Sequence, residues 1–260
     1  MDIINYNSAA WDSVVDSGES EWTQPVSEED IELARKGEFS IVLTPNIPVP
    51  RDWFPGDLSG KDVLCLASGG GQQAPILSAL GANVTSFDNS RRQLEQDKFV
   101  ANREGLNIRI EQGDAADLSR FTDGSFDLVW HPVSNCFMPD IMPVWNEAYR
   151  VLRKKGVMLA GFFNPVLFIF DREKDEKEGI LEVKYSLPFS DLLDIRDDER
   201  RALIDNNDPL EFGHTLEEQI GGQIKAGFVI DGFFEDYWSD EATTLNKYSP
   251  TYIATRAIKN

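Results

Sequence analysis

Three observations predict an α/β fold in which a doubly wound sheet carries helices on both faces. Apolar segments of strand length alternate with amphipathic segments of helix length from residue 61 to residue 163, the order that builds a parallel sheet. Val63-Leu-Cys-Leu66 and Val157-Met-Leu-Ala-Gly-Phe-Phe163 are continuously apolar rather than alternating, as strands covered on both faces are. The first strand runs directly into Ala67-Ser-Gly-Gly-Gly-Gln-Gln-Ala74, and the second ends in Asp88. That layout lets a backbone turn pass close to a ligand at a helix N-terminus, while a strand-end carboxylate accepts from ribose hydroxyls.

Residues 1–58 precede this pattern. They carry Trp11, Trp22 and Trp53, a helix over 27–36 opened by Ser27-Glu-Glu-Asp30, and the proline-rich exit Thr44-Pro-Asn-Ile-Pro-Val-Pro50. The serine followed by acids is a helix start. Closing the sheet does not require this segment, so it is expected to be either a cap over the ligand site or an ordinary packed N-terminal flap. The core then reads as strand 61–67, helix 72–80, strand 83–88, helix 90–104, strand 108–112, strand 126–131, helix 140–152 and strand 156–163. Ser90 is placed to cap its helix. In helix 140–152 the residues Ile141, Val144, Trp145, Ala148, Val151 and Leu152 fall at helical spacing, and Lys154-Lys155-Gly156 supplies cations and a stop.

The alternation breaks over about 165–215, read as an insertion after strand 5. The run Asp171-Arg-Glu-Lys-Asp-Glu-Lys-Glu178 is a solvated face, followed by Tyr185-Ser-Leu-Pro-Phe189 and a helix over 191–204. Thr215-Leu-Glu-Glu218 forms a capping box for a helix ending at Gly227, and 228–238 and 249–257 are the closing antiparallel strands. Residues 59–260 thus form one ligand-binding domain. At 260 residues the chain supports a single sizeable core.

Composition narrows the partners. Lysine and arginine number 25 against 45 aspartates and glutamates, a net charge of −20 with a pI near 4.4, and the short basic pairs all have acidic neighbours. Such a surface repels phosphate backbones and anionic lipid, so neither nucleic acid nor membrane is an expected partner. Cys65 and Cys136 form no disulfide framework, and with His131 and His214 they show no metal-ligand spacing, so no metal is expected. The opening Met1-Asp-Ile-Ile-Asn-Tyr6 lacks the regions of a signal peptide. The longest apolar run, 156–170, is interrupted by Asn164-Pro165 and falls short of the ~18 residues a span needs. A cytoplasmic protein, monomer or homodimer, is expected.

The glycine turn, the acid at Asp88, a third strand ending Gly113-Asp114-Ala115 and a fourth reading Ser125-Phe-Asp-Leu-Val-Trp-His131 together resemble the class I S-adenosylmethionine-dependent methyltransferases, in the broad group that includes the ubiquinone/menaquinone C-methyltransferases. The resemblance spans about residues 60 to 165 and the C-terminal strand pair. A narrower similarity, to bacterial proteins carrying Leu-Ala-Ser-Gly-Gly-Gly-Gln-Gln and described only as methyltransferases, runs nearly end to end and supplies no substrate. The resemblance implies a Rossmann-like seven-stranded sheet of order 3-2-1-4-5-7-6 with the last strand antiparallel. It also implies S-adenosylmethionine as cofactor, with the homocysteine form as product.

By the same resemblance Ala67, Ser68, Gly69, Gly70 and Gly71 pass around the methionyl part, Asp88 chelates the ribose with Asn89 beside it, and Asp114 accepts from the adenine amino group. Gly113 and the Ala115 backbone meet the ring. Two positions depart from the family pattern: Ala67 stands where the first glycine does, and Cys65 where an acidic residue often holds the ligand's charged end. Ala67 implies either a displaced ligand tail or an already extended backbone.

His131 follows the fourth strand, where relatives contact both cofactor and acceptor; an imidazole there can serve as base near neutral pH, or be a hydrogen-bonded structural residue. Trp22, Asn135, Tyr185 and His214 are the candidate substrate contacts, with Trp53 and Phe189 as further lid aromatics. The acceptor is expected to be a small molecule methylated on oxygen or nitrogen. Two alternatives remain. Gly69 to Ala74 also satisfies the dinucleotide pattern G-x-G-x-x-A, which admits an NAD(P)-dependent oxidoreductase, although none of the six tyrosines has a lysine four residues later. The changes at Cys65 and Ala67 admit a cofactor-binding protein without turnover.

Overall fold

The computed structural model describes residues 1–239 and 241–260. Seven strands form one sheet: β1 (Asp62–Leu66), β2 (Asn83–Asp88), β3 (Ile108–Gln112), β4 (Phe126–His131), β5 (Leu152–Phe163), β8 (Phe228–Asp236) and β9 (Tyr252–Lys259). Two short strands, β6 (Phe189–Ser190) and β7 (Phe212–Gly213), pair separately. The large sheet runs β3-β2-β1-β4-β5-β9-β8. With the two short strands set aside this is the expected order 3-2-1-4-5-7-6. The β1–β2, β2–β3, β1–β4 and β4–β5 pairs are parallel, and β9 runs antiparallel to both β5 and β8.

Period-two alternation of the strands divides the core between the two faces. Val63, Cys65, Leu128, Trp130 and Leu159 face one side, where they meet helices α2 (Glu28–Arg35) and α3 (Gln73–Ala79) and the 41–54 segment. Leu64, Leu66, Val129, Met158 and Ala160 face the other and pack on helix α5 (Met142–Val151). Both sets are almost wholly buried, which is why these strands read as continuous apolar runs.

Element ends shift by small amounts that have local causes. Ser90 caps α4 (Arg91–Glu104), its hydroxyl accepting from the Gln93 N–H at 3.1 Å. Strand β5 starts at Leu152 instead of 156 because Leu152 already pairs with Phe126 across a bulge. The Thr215–Glu218 capping box forms in both directions, but the helix it opens is π-helical over Glu217–Gly221 before α8 (Gly222–Ala226). Within the insertion, α6 (Arg172–Glu178) buries none of its residues and α7 (Asp197–Asp205) follows.

Helix α1 (Ile3–Ser17) was not expected. Asp2 caps it through the Asn5 N–H, and Gly18 ends it in the left-handed conformation. Isoleucine, asparagine, serine, aspartate and valine fill much of it, all middling helix formers, so its stability comes from contacts made elsewhere. Asn7, 1% exposed, donates to the carbonyls of Phe137 (2.8 Å) and Leu210 (3.0 Å) and accepts from the Leu210 N–H at 2.9 Å. Asp12 accepts from the Ser90 hydroxyl and the Arg92 N–H at the start of α4. The helix therefore bridges the carboxyl edge of the sheet and the insertion.

No helix among the described residues is long and apolar enough to cross a membrane.

Candidate active site

A cavity of about 500 Å³ opens at the carboxyl ends of the parallel strands, the side on which open α/β sheets bind ligands. Its size is that of a small-molecule site. Of the residues expected there, Ala67, Ser68, Gly69, Asp88, Asn89, Gly113, Asp114, Ala115 and Trp22 line it.

Asp88 is 8% exposed and is not the open strand-end carboxylate its position in sequence suggests. Its Oδ2 accepts from the Gly69 N–H at 3.0 Å and its Oδ1 from the Ser90 N–H at 2.8 Å. Burial pushes its pKa up, and those backbone bonds pull it back. Each oxygen keeps lone-pair capacity beyond these bonds, which suits it to receive two neighbouring hydroxyl donors. Asp114 makes the Asx turn that a post-strand aspartate can make, its Oδ1 accepting from the Ala116 N–H at 2.9 Å while it borders the cavity.

The glycine loop is held from beneath and from above. Gly71 donates to Asp97 Oδ1 at 2.9 Å, and Asp97 Oδ2 accepts from the Ser86 hydroxyl at 2.6 Å. Asp97 lies fully buried on α4, and burial raises its carboxyl to about 7. Cys65 is buried in the core and does not line the cavity, so the carboxylate under this loop comes from α4 and not from β1. The cap segment closes from above: the Val26 N–H donates to Gly71 O at 2.8 Å, and Gln72 Nε2 donates to Glu21 O at 2.8 Å. Gly70, at φ +114, leaves no room for a Cβ, which would sit 2.8 Å from Trp22 O. Gly70 and Gly71 thus shape the turn and seat the cap, and neither lines the cavity. A Cβ at Gly113 would meet the Phe87 ring at 2.5 Å, so that glycine answers to packing as well.

Ala67 takes φ +46, which removes the extended backbone from the two alternatives for that position. A left-handed alanine costs about 1–2 kcal/mol, and the adjoining structure holds it, with the Ala67 N–H donating to Phe87 O at 2.7 Å.

Several expected contacts lie elsewhere. His131 is 0% exposed and does not reach the cavity. Its Nδ1 faces Leu66 O at 2.9 Å and its Nε2 faces the Asn135 side chain at 2.7 Å, and burial lowers its pKa. Both ring nitrogens are occupied, the arrangement of the structural alternative for this histidine and not of a base facing the cavity. Asn135, also fully buried, spends its amide on His131 and on Gln219. His214 Nε2 points to the carbonyls of Asn135 and Met138. Tyr185 packs against Phe189, which is buried with Phe168, and Trp53 lies against Phe234 on the outer core. None of these borders the cavity.

Sequence reasoning missed other lining residues. Gln93, on the first turn of α4, is 7% exposed, and its Oε1 has no hydrogen-bond partner. Phe163, Trp238 and Tyr252 form an aromatic wall with ring centroids 4.8–6.0 Å apart. Tyr252 could have been found from topology: β9 is antiparallel, so its first residue shares the edge where the parallel strands end. Glu211, beside β7, and Trp11 and Phe137, edge to face at 5.0 Å, complete this side. No group of metal-ligating side chains occurs among the described residues.

The comparisons speak to the family and the fold. Residues 64–160 match a family described as a methyltransferase domain. The chain is 50% identical over 257 residues, 99% of its own length and 98% of the other's, to the uncharacterized methyltransferase YbaJ of Bacillus subtilis. Among solved structures, an S-adenosylmethionine-dependent methyltransferase from Mesorhizobium loti matches with a TM-score of 0.62 at 17% identity, over 80% of this chain and 94% of that one. A protein from Listeria monocytogenes described in the same terms matches with a TM-score of 0.61 at 19% identity, over 81% and 95%. At those identities the two structures speak for the fold.

Proposed function

The chain belongs to the class I S-adenosylmethionine-dependent methyltransferase superfamily, and from that premise we propose that its cavity holds S-adenosylmethionine along the glycine loop and passes the methyl group to a small molecule on the aromatic side. The observation that carries this reading is the pair of acceptors at one end of the cavity, the Asp88 carboxylate and the unpartnered Gln93 Oε1. A buried acceptor without a donor costs about 1–3 kcal/mol, and a ribose with two hydroxyls supplies the donor that Gln93 Oε1 lacks and meets the lone pairs that Asp88 has left.

When bound, the cofactor supplies a sulfonium-borne methyl group open to in-line displacement. The chain's own residues do the rest. Asp88 and Gln93 fix the ribose, the Ala67–Gly69 backbone borders the amino-acid tail, and the turn at Asp114 to Ala116 offers a flat surface to adenine. Carboxylates and aromatic faces favour a cation in a cavity of low dielectric. Residues 1–58 and the insertion at about 165–215 act as the cover that excludes water and aligns the acceptor. The dinucleotide reading gains nothing from the comparisons, and among the described residues no lysine, arginine or histidine lines the cavity to balance phosphates. A cytoplasmic location fits the same reading.

Calorimetric titration tests it. Saturable binding of S-adenosylmethionine and none of NADH supports the assignment; binding of NADH, or of neither, overturns it.

A further inference from the structure

The charge and shape of the acceptor side restrict what can be methylated. Four carboxylate side chains line the cavity, Asp88, Asp114, Asp140 and Glu211, and among the described residues no cationic side chain joins them. Asp88 and Asp114 belong to the cofactor end. Glu211 lies on the other side, together with Phe163, Trp238 and Tyr252. It is fixed in place: its Oε2 accepts from Arg172 Nη2 at 2.6 Å, its N–H donates to Asp191 Oδ2 at 2.7 Å, and its carbonyl accepts from the Asp191 N–H at 3.0 Å. Arg172 does not line the cavity, so the field inside is that of carboxylates against aromatic faces. Arg172 pairs with Glu211 from outside the cavity, so an anionic acceptor meets carboxylates there and no cationic side chain among the lining residues.

Alcohols and phenols are disfavoured for a second reason. Each needs a base to remove its proton as the new bond forms, yet both histidines of the chain are turned into the protein and away from the cavity. Carboxylates are weak bases, and the phenolate form is an anion as well. An amine escapes both objections, because it arrives as a cation and its neutral form, once the proton has left, attacks with no base needed as the new bond forms. Aromatic faces attract an ammonium by about 0.5–2 kcal/mol, more when desolvated.

Resting on the methyltransferase reading above, we infer that the acceptor is a small apolar amine methylated on nitrogen, with Glu211 as its carboxylate anchor and Phe163, Trp238 and Tyr252 as its aromatic wall. The ammonium gives up its proton to water before the cover closes, and the lone pair of the neutral nitrogen then forms the bond to the methyl carbon. The pair of the broken bond stays on the departing sulfur, which loses its positive charge as the nitrogen gains one.

The test uses the full chain saturated with S-adenosylhomocysteine, whose own binding is measured first; its failure would sink the methyltransferase reading and not this one. Calorimetry then compares 3-phenylpropylamine, 3-phenylpropanol and 3-phenylpropanoate, which share one frame and differ in charge. The amine is expected to bind about tenfold more tightly than the alcohol, and the propanoate not at all. Glu211→Gln should remove most of that tenfold preference while leaving S-adenosylhomocysteine affinity and alcohol affinity in place, which also shows that the variant is folded. Absence of amine binding, a propanoate or alcohol that binds as tightly as the amine, or an amine preference that survives Glu211→Gln overturns the inference.

Discussion

Three residues, Asp88, Ala67 and Asp97, hold the fold around the proposed cofactor site. Asp88 holds two backbone N–H groups while facing the cavity, so Asp88→Ala orphans both. We expect that variant to lose S-adenosylmethionine binding and also about 2 kcal/mol of stability, read by calorimetry and by thermal melts; unchanged affinity would remove Asp88 from the site. Ala67 sits at positive φ, where glycine is at ease. Ala67→Gly should therefore leave Tm unchanged or raise it, by up to about 1 kcal/mol in stability, and a clear fall in Tm would show that the conformation carries no strain. Asp97 has its folded pKa raised by burial to about 7, against about 3.9 in the unfolded chain. The folded state then binds this proton more strongly, so the stability linked to it is complete below about pH 4 and lost as pH rises through about 7. Asp97→Asn, which can keep both hydrogen bonds, should be no more stable than the parent at pH 4 and roughly 2–8 °C higher in Tm at pH 8. A Tm difference that does not change with pH would contradict this. Asp88 was legible because strand-end acids follow a local pattern. Asp97, Gln93 and Glu211 were not, since their roles depend on which partner lies opposite in space. His131 misled for the same reason: nothing in the sequence reveals that Leu66 and Asn135 occupy both ring nitrogens.

At the scale of elements, the strands and the α3 to α5 helices were readable because their apolar spacing is strict. The strand order followed from the family resemblance and not from spacing. Helix α1 has weak intrinsic propensity and was invisible as a pattern. Its position is set by Asn7, Asp12 and Ser8, which bond to three separate parts of the chain. Asn7→Ala removes three hydrogen bonds and leaves buried main-chain groups unpaired. We expect a Tm lower by roughly 4–8 °C and faster hydrogen exchange throughout α1, with the sheet unaffected. A melt unchanged by this substitution would mean that α1 is held by other contacts. The π-helical turn at Glu217–Gly221 was likewise hidden, because a capping box announces where a helix starts and not its hydrogen-bond pitch.

For the molecule as a whole, one sheet edge gathers the glycine loop, the strand-end acids and, from the distant C-terminus, an aromatic wall. Helix α1, the cap segment and the insertion cover that edge, and the proposed function assigns the acceptor to these flanking parts and the cofactor to the central part. The overall charge of −20 signalled partners without dense negative charge, and the cavity repeats that preference locally. The shape of the acceptor side was beyond sequence reading, because it is assembled from segments more than two hundred residues apart.

Hydrogen–deuterium exchange of the full chain, with and without S-adenosylhomocysteine, tests the central claim most directly. The account predicts slower exchange at residues 67–71, 88–90 and 113–116 and along α1, with α6 unchanged. Protection confined to other segments, or none at those three loops in the presence of saturating ligand, would contradict it.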